Sequence, residues 1–211
     1  MIGVKICGIN SVAGYRAAVA AQANWAGFVF YPRSPRWVTP MQAAMIAQTD
    51  GIAHVGLFVE PSDAEIEVAL ETCRLDRVQI YDDAARCRAI RAAFGVPVWR
   101  AVGISAVEDL PRDDQGLDGF VIEAKAQAGA DRPGGNGVRL DWSMLRDWHA
   151  PGTWLLAGGL TRHNVGTAIA ASGAEAVDVS SGVESAPGVK SAALIEAFVM
   201  AARQDCEIGQ K

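Results

Sequence analysis

Two short clusters of glycine and serine near the carboxyl end of the chain have the composition of a phosphate-binding site. Gly158-Gly159 ends the apolar run 153–157, and Ser180-Ser181-Gly182 ends the run 176–180. A phosphate needs converging backbone N–H groups, room for close approach and preferably a helix N-terminus. Either cluster alone is typical of an ordinary turn. Both together, after successive runs, favour a phosphate site, and Thr161 is predicted to cap the next helix.

The first apolar run carries a pair of residues that could do acid–base chemistry. Lys5 and Cys7 are two positions apart, so in a strand they share a face, while Val4 and Ile6 take the other. We expect the apolar pair to pack against helices and the polar pair to point inward. A nearby ammonium favours the thiolate, which can act as base or nucleophile. The alternative is an inert buried cysteine.

Two further charged residues follow predicted strands. Glu123 comes directly after the run 117–122 and could pair with the thiol as acid and base. Arg36 lies in the proline-stiffened loop 31–38, and a guanidinium can bind a carboxylate in a bidentate way. A surface carboxylate and a solvent-facing charge are the alternatives. Three histidines show no metal-ligand spacing and are assigned no chemistry: His54, His149 and His163.

Eight β-rich apolar runs recur along the chain and are read as strands. They cover residues 2–7, 26–31, 53–60, 76–80, 97–102, 117–122, 153–157 and 176–180. Most are continuously apolar, as expected of parallel strands covered on both faces. Helical patterns fill most of the gaps, and two of them open with the capping boxes Thr39–Gln42 and Ser62–Glu65.

Alternating strands and helices predict an α/β fold with a parallel sheet. Eight units in this length favour one closed (βα)8 barrel domain over residues 1–211. The rival is a doubly wound nucleotide-binding fold, but its glycine fingerprint is reduced to Gly8 after the first strand. The glycine-rich segment 124–140 follows the sixth strand and is either a mobile cover for a site or a plain surface loop.

Composition narrows the function classes. The net charge is −5 and charged residues make up 20%, which gives no electrostatic footprint for nucleic acid or an anionic membrane. No run has the length of a membrane span, and the first residues lack a signal-peptide pattern. The four cysteines form no C-x-x-C pair. We therefore expect a cytoplasmic protein with free thiols and no metal site.

An ordered set of motifs resembles the phosphoribosylanthranilate isomerase family, barrel enzymes of tryptophan biosynthesis. The resemblance covers almost the whole chain, and although each motif alone is weak, the set is specific. The motifs are Lys5-Ile6-Cys7-Gly8-Ile9, Gly27-Phe28-Val29-Phe30-Tyr31-Pro32, Ser34-Pro35-Arg36, Gly56-Leu57-Phe58-Val59, Val78-Gln79, Gly134-Gly135-Asn136-Gly137, Asp141-Trp142, Leu156-Ala157-Gly158-Gly159-Leu160, Asp178-Val179-Ser180-Ser181-Gly182-Val183-Glu184 and Pro187-Gly188-Val189-Lys190.

The resemblance implies an Amadori rearrangement of N-(5-phosphoribosyl)anthranilate without a cofactor, in a monomer or homodimer. Cys7 matches the family's general base, and Arg36 matches the residue that contacts the anthranilate carboxylate. Phosphate binding is implied for the loops that contain Gly158, Gly159, Ser180, Ser181 and Gly182. Further substrate contacts are implied for Lys5, Gln79 and Asp178.

The chain departs from the family pattern on one side of the site. The family's general acid is an aspartate, and Glu123 stands there. The usual Gln-Leu-His-Gly after the fourth strand is Gln79-Ile80-Tyr81-Asp82, and Asn136 and Asn10 replace threonines. An active isomerase with Glu123 as acid is the leading hypothesis. A paralogue acting on another aminated or aromatic sugar phosphate and a non-catalytic metabolite-binding barrel are the alternatives.

Overall fold

Eight parallel strands close into a barrel. The computed structural model describes residues 1–47, 51–126 and 140–204. The strands follow chain order around the barrel, and β8 pairs with β1 to close it. They are β1 (Gly3–Cys7), β2 (Trp25–Val29), β3 (Ala53–Val59), β4 (Arg77–Tyr81), β5 (Val98–Ile104), β6 (Gly119–Ala124), β7 (Trp154–Leu156) and β8 (Ala176–Val179). The predicted (βα)8 barrel is confirmed, and the open doubly wound sheet is excluded.

Six α-helices in the described ranges cover the outside of the barrel. They are α1 (Val12–Ala20), α2 (Pro40–Ile46), α3 (Asp63–Thr72), α4 (Ala84–Phe94), α5 (Val165–Ser172) and α6 (Ala192–Gln204). The described residues between β5 and β6, and between β6 and β7, form only 3-10 helices, Val107–Asp109 and Trp142–Leu145. A two-stranded hairpin, β9 (Glu184–Ala186) with β10 (Val189–Lys190), lies between β8 and α6.

The helix starts follow the local sequence in two cases and not in a third. Both predicted capping boxes form, with reciprocal side-chain and backbone hydrogen bonds at Thr39 and Ser62. The prediction that Thr161 caps a helix is wrong, because α5 begins at Val165 with Asn164 at its N-cap. The Asn164 amide instead closes a turn before the helix, accepting from the Thr161 N–H at 2.7 Å and donating to the Gly159 carbonyl at 3.0 Å.

Strand alternation separates two cores. Outward side chains such as Val4 and Ile6 pack beneath the helices with no exposed surface. Inside the barrel an apolar layer, which includes Val55, Trp99 and Leu155, fills the amino-terminal half. Buried Cys73 and Cys87 belong to the outer core, as the helical pattern indicates. The inside is therefore packed below, and chemistry is confined to the carboxyl ends of the strands.

Some sequence expectations concern residues that the structure does not describe. The glycine-rich motif 134–137 with Asn136, most of the segment 124–140 and Cys206 all fall outside the described ranges. Within those ranges, no helix combines the length and apolar character needed to cross a membrane. The same residues contain no group of three or more potential metal ligands.

Candidate active site

One cavity opens at the carboxyl ends of the strands and collects most of the residues singled out from the sequence. It has a volume of about 720 Å³, counting the space open to solvent at its mouth. Eight of the predicted site residues line it: Cys7, Arg36, Glu123, Gly158, Gly159, Asp178, Ser180 and Ser181. Segments far apart in the chain therefore converge on one volume, which is the size of a small-molecule site.

Cys7 lies at the end of β1 beside a buried ion pair. The Lys5 ammonium, fully buried inside the barrel, donates to Asp178 Oδ1 at 3.0 Å, across the β1–β8 pairing. Gly27 on β2 makes room for both groups, because a Cβ there would be only 3.1 Å from Cys7 Sγ and from Lys5 Nζ. The inward face predicted for Lys5 and Cys7 is confirmed.

Opposing effects act on the protonation of Cys7. Burial raises the pKa of the Cys7 thiol, Lys5 lowers it, and Asp178 raises it again, so the net pKa lies above the ordinary thiol value. The neighbouring ammonium therefore favours the thiolate, as the sequence indicates, but desolvation outweighs its attraction. Burial lowers the pKa of Lys5, but Asp178 and Cys7 more than offset it, and the net pKa is raised.

Glu123 is held by a phenol from a neighbouring strand. Its side chain is buried, with 4% of the residue exposed. Tyr81, at the end of β4, donates its hydroxyl to Glu123 Oε1 at 2.7 Å and also lines the cavity. Burial and the Glu123 carboxylate raise the pKa of the Tyr81 phenol well above its ordinary value, so Tyr81 remains a donor at neutral pH.

Arg36 reaches the cavity while bound to a second buried carboxylate. Its Nε and Nη2 donate to the two oxygens of Glu184 at 2.7 and 2.9 Å. Its stem lies against Gly8, where any Cβ would overlap it. The bidentate edge expected to hold a substrate carboxylate is therefore occupied by Glu184. The end of the guanidinium, rather than its side, is what a ligand would meet.

The two glycine–serine loops also line the cavity. Gly158 and Gly159 have φ angles of 90° and 64°, a backbone that favours glycine. Ser181 begins a 3-10 helix (Ser181–Val183), whose first amides have no partner within the helix. The Ser180 hydroxyl donates to the Cys7 carbonyl at 3.1 Å, so this side chain links the loop to the end of β1.

Three predicted site residues lie behind the cavity surface instead of lining it. Lys5 acts through its contacts with Asp178 and Cys7. Gly182 permits close packing of the two loops, because a Cβ would overlap the backbone of Leu160. Gln79 is completely buried, and neither polar atom of its amide has a hydrogen-bond partner among the described residues.

Four residues that shape this cavity have no site role predicted from the sequence. Tyr81 was noted only as a departure from the family, and Gly27, Glu184 and Lys190 only as parts of motifs. Their roles arise from contacts between distant segments, such as the 148 positions between Arg36 and Glu184. In the sequence, Glu184 and Lys190 are marked only by their inclusion in the ordered motif set.

Comparison with known proteins decides the family. The model of the family "N-(5'phosphoribosyl)anthranilate (PRA) isomerase" matches residues 4–201. The chain belongs to this family. A relative from Acidiphilium cryptum, named N-(5'-phosphoribosyl)anthranilate isomerase, is 56% identical over 202 residues, covering 96% of this chain and 98% of the relative.

Solved isomerases have the same barrel. The phosphoribosyl anthranilate isomerase from Thermotoga maritima superposes with a TM-score of 0.84 at 32% identity, over 96% of this chain and 99% of its own. An isomerase in complex with reduced 1-(o-carboxyphenylamino)-1-deoxyribulose 5-phosphate superposes at 0.78, with the same identity and coverage. The family resemblance seen in the motifs is therefore confirmed.

Proposed function

We propose that this chain catalyses the Amadori rearrangement of N-(5-phosphoribosyl)anthranilate to 1-(2-carboxyphenylamino)-1-deoxyribulose 5-phosphate, a step of tryptophan biosynthesis. The observation that carries the proposal is the convergence of Cys7, Glu123, Arg36 and the glycine–serine loops on one cavity. The substrate has an anion at each end and its reacting carbons between them. The cavity offers an arginine and two loops for the anions, and a thiol and a carboxyl group for the reacting carbons.

Substrate binding uses the two ends of the cavity. Backbone N–H groups of the loops at Gly158-Gly159 and Ser180-Ser181 receive the phosphate, and the Arg36 guanidinium receives the anthranilate carboxylate. Holding both ends of the substrate keeps the sugar in contact with the acid and the base. Binding energy is thus used to orient the reacting atoms. Gly182, behind the loops, allows their backbones to approach each other.

Glu123 acts first, as the general acid. Protonated Glu123 donates to the ring oxygen of the furanose while the C1–O bond breaks and the anilino nitrogen lone pair forms the C=N bond of a Schiff base. The hydrogen bond from Tyr81 holds the longer glutamate side chain in the reacting position. Proton transfer demands near hydrogen-bond contact, so this restraint offsets the extra methylene relative to aspartate.

Cys7 acts second, as the general base. Its thiolate removes the proton from C2, and the electron pair of that C–H bond forms the C1=C2 bond of an enolamine as the nitrogen cation is neutralised. The enolamine then tautomerises to the ketone. The Lys5 ammonium favours the thiolate against the burial that opposes it, so Lys5 and Asp178 set how readily the base is formed.

An isomerisation assay with freshly made substrate tests this proposal. We expect turnover by the wild type and a loss of at least about 10²-fold in kcat for Cys7→Ala and for Glu123→Ala, the scale of general acid–base catalysis. Wild-type turnover no faster than that of Cys7→Ala would end the proposal. Rescue of a tryptophan auxotroph at ordinary expression separates this substrate from another aminated sugar phosphate.

Two finer expectations accompany the reaction. We expect the enzyme to work in the cytoplasm as a monomer or homodimer, since the described cysteines Cys7, Cys73 and Cys87 are free thiols of the kind a reducing compartment keeps. Cell fractionation and light scattering measure these two properties directly. Recovery outside the cytoplasm, or a larger assembly, would overturn the corresponding expectation.

A further inference from the structure

Glu184 and Lys190 carry buried charges that the reaction steps above do not use. Both belong to the β9–β10 hairpin, which directly follows the proposed phosphate loop. The side chains are 4% and 0% exposed. Burying a carboxylate and an ammonium carries a large desolvation cost unless partners compensate. Their contacts with neighbouring groups must therefore compensate for this cost.

The Glu184 carboxylate is the centre of the cluster. Besides both bonds from Arg36, it accepts from Lys190 Nζ at 2.7 Å and from the Gly188 N–H at 3.2 Å. Burial opposes its ionisation, but the bonds from Arg36 and Lys190 outweigh burial and hold the pKa of Glu184 below its ordinary value. Glu184 is thus a fixed anion that determines the plane and direction of the Arg36 guanidinium.

The remaining donors of Arg36 define what a ligand can reach. A guanidinium has five N–H donors, of which Glu184 uses one on Nε and one on Nη2. In the described part of the chain no hydrogen bond engages Nη1. Arg36 lines the cavity while Glu184 does not. The donors on Nη1 and the second donor on Nη2 are therefore the ones that a ligand carboxylate would use.

Lys190 extends the same cluster to the loop at Ser180, which also lines the cavity. Its ammonium donates to the Ser180 carbonyl at 3.0 Å and reaches Ser180 Oγ at 3.3 Å. Ser180 in turn donates to the carbonyl of Cys7. One ammonium therefore links the carboxylate that orients Arg36 to the proposed phosphate loop and to the strand that carries the base.

The charges in the cluster do not cancel. Arg36 and Lys190 supply two positive charges and Glu184 one negative charge, so one buried positive charge is left over. Buried charges are stable when they are paired. A carboxylate at the end of the guanidinium would offset this excess beside Arg36, whereas a neutral aromatic ring would not.

We propose that Glu184 and Lys190 are positioning residues, which direct the end of the Arg36 guanidinium at the carboxylate of the substrate and join it to the phosphate loop. This inference rests on the proposed function for the identity of the substrate. It adds that carboxylate selectivity depends on the hairpin as well as on Arg36.

Calorimetric binding of two ligands tests the role of Glu184. One is the reduced product analogue, and the other is the same molecule made from aniline, which lacks the carboxyl group. We expect the wild type to prefer the carboxylated ligand by about tenfold or more, the value of a charge-assisted hydrogen bond. In Glu184→Gln we expect the preference to fall below about threefold on that scale. Exposed Glu175→Gln, at the other end of β8, is the matched control.

Affinity for inorganic phosphate separates positioning from simple loss of structure. Glu184→Gln should not weaken phosphate affinity, while Lys190→Met should weaken both phosphate affinity and carboxylate preference. If Glu184→Gln is poorly folded, Glu184→Asp is the alternative variant. It keeps the negative charge but moves it back by one methylene, so it should lower the preference for the carboxylated ligand in a folded protein. Equal weakening of both analogues would indicate a structural role and overturn the inference.

The outcome also distinguishes this inference from the proposed function. Normal turnover by the wild type, with carboxylate preference retained in Glu184→Gln, would remove the positioning role and leave the reaction intact. Absence of wild-type turnover would remove the proposed function. In steady-state kinetics, the positioning role predicts a higher KM for Glu184→Gln with kcat reduced less than KM rises.

Discussion

Replacement of Tyr81 by phenylalanine removes one hydroxyl from the candidate site and leaves the ring in place. That hydroxyl lies 2.7 Å from Glu123 Oε1, within the short range of an O–H···O⁻ bond. Tyr81 is partly exposed where it lines the cavity, whereas Glu123 is only 4% exposed. Replacing the bond from Tyr81 by a hydrogen bond from water to the Glu123 carboxylate would therefore cost free energy.

The size of the effect follows from this geometry. A hydrogen bond to a charged group contributes about 1.5–3 kcal/mol, and its loss from the transition state corresponds to a decrease of about 10- to 150-fold in rate. Glutamate has one more rotatable bond than aspartate, so loss of the Tyr81 contact gives the Glu123 carboxyl group more alternative positions. We expect Tyr81→Phe to lower kcat by about this factor, with KM changed less than threefold on the same energy scale.

Steady-state kinetics and thermal unfolding check this prediction together. The melting temperature tells whether Tyr81→Phe is folded, and the rate is then compared in a cycle with Glu123→Gln. The Tyr81 phenol should affect the rate only by holding the Glu123 carboxyl group. Tyr81→Phe should therefore have little effect when Glu123→Gln is already present. A folded Tyr81→Phe enzyme with kcat within about twofold of wild type would refute the reasoning.

Two other sets of variants test the charges and the close packing around the cavity. Lys5 lowers the pKa of the Cys7 thiol and Asp178 raises it, so Lys5→Met should shift the acidic limb of the kcat/KM profile to higher pH and Asp178→Asn to lower pH; equal shifts in one direction would contradict the assignment. Gly182→Ala would force a Cβ into the backbone of the neighbouring loop, so urea unfolding should detect a loss of about 1–3 kcal/mol together with weaker phosphate binding. Gly152→Ala, where a Cβ meets nothing within 4 Å, is the control, and an equal effect there would remove the packing argument.

Features that depend on local order were predictable from the sequence. Alternation along the first strand predicts that Lys5 and Cys7 point inward, and both are buried inside the barrel. The capping boxes at Thr39 and Ser62 need only residues three positions apart. The carboxyl ends of parallel strands meet at one edge, so the convergence of Glu123 with the glycine–serine loops also follows once the strands are known.

Features that depend on burial or distant partners were not predictable. The net effect on the pKa of Cys7 could not be predicted, because the cost of desolvation cannot be read from the adjacent lysine. Arg36 carries a positive charge in any sequence reading, but only the folded chain brings Glu184 to its side edge. Thr161 resembles a cap by residue type, whereas the turn closed by Asn164 delays the helix.

The two departures on the acid side of the site are better understood as one change than as two losses. Taken separately, a glutamate in place of aspartate misplaces the acid by a methylene, and a tyrosine in place of histidine removes an imidazole. In the structure the phenol donates directly to the longer carboxyl group, across 42 positions of sequence. A donor that stays protonated at neutral pH suits this task, because it cannot compete for the proton that the acid must deliver. In the proposed mechanism the pair therefore preserves a restrained proton donor in the cavity, and either member returned alone to the family residue should lower kcat more than the two together.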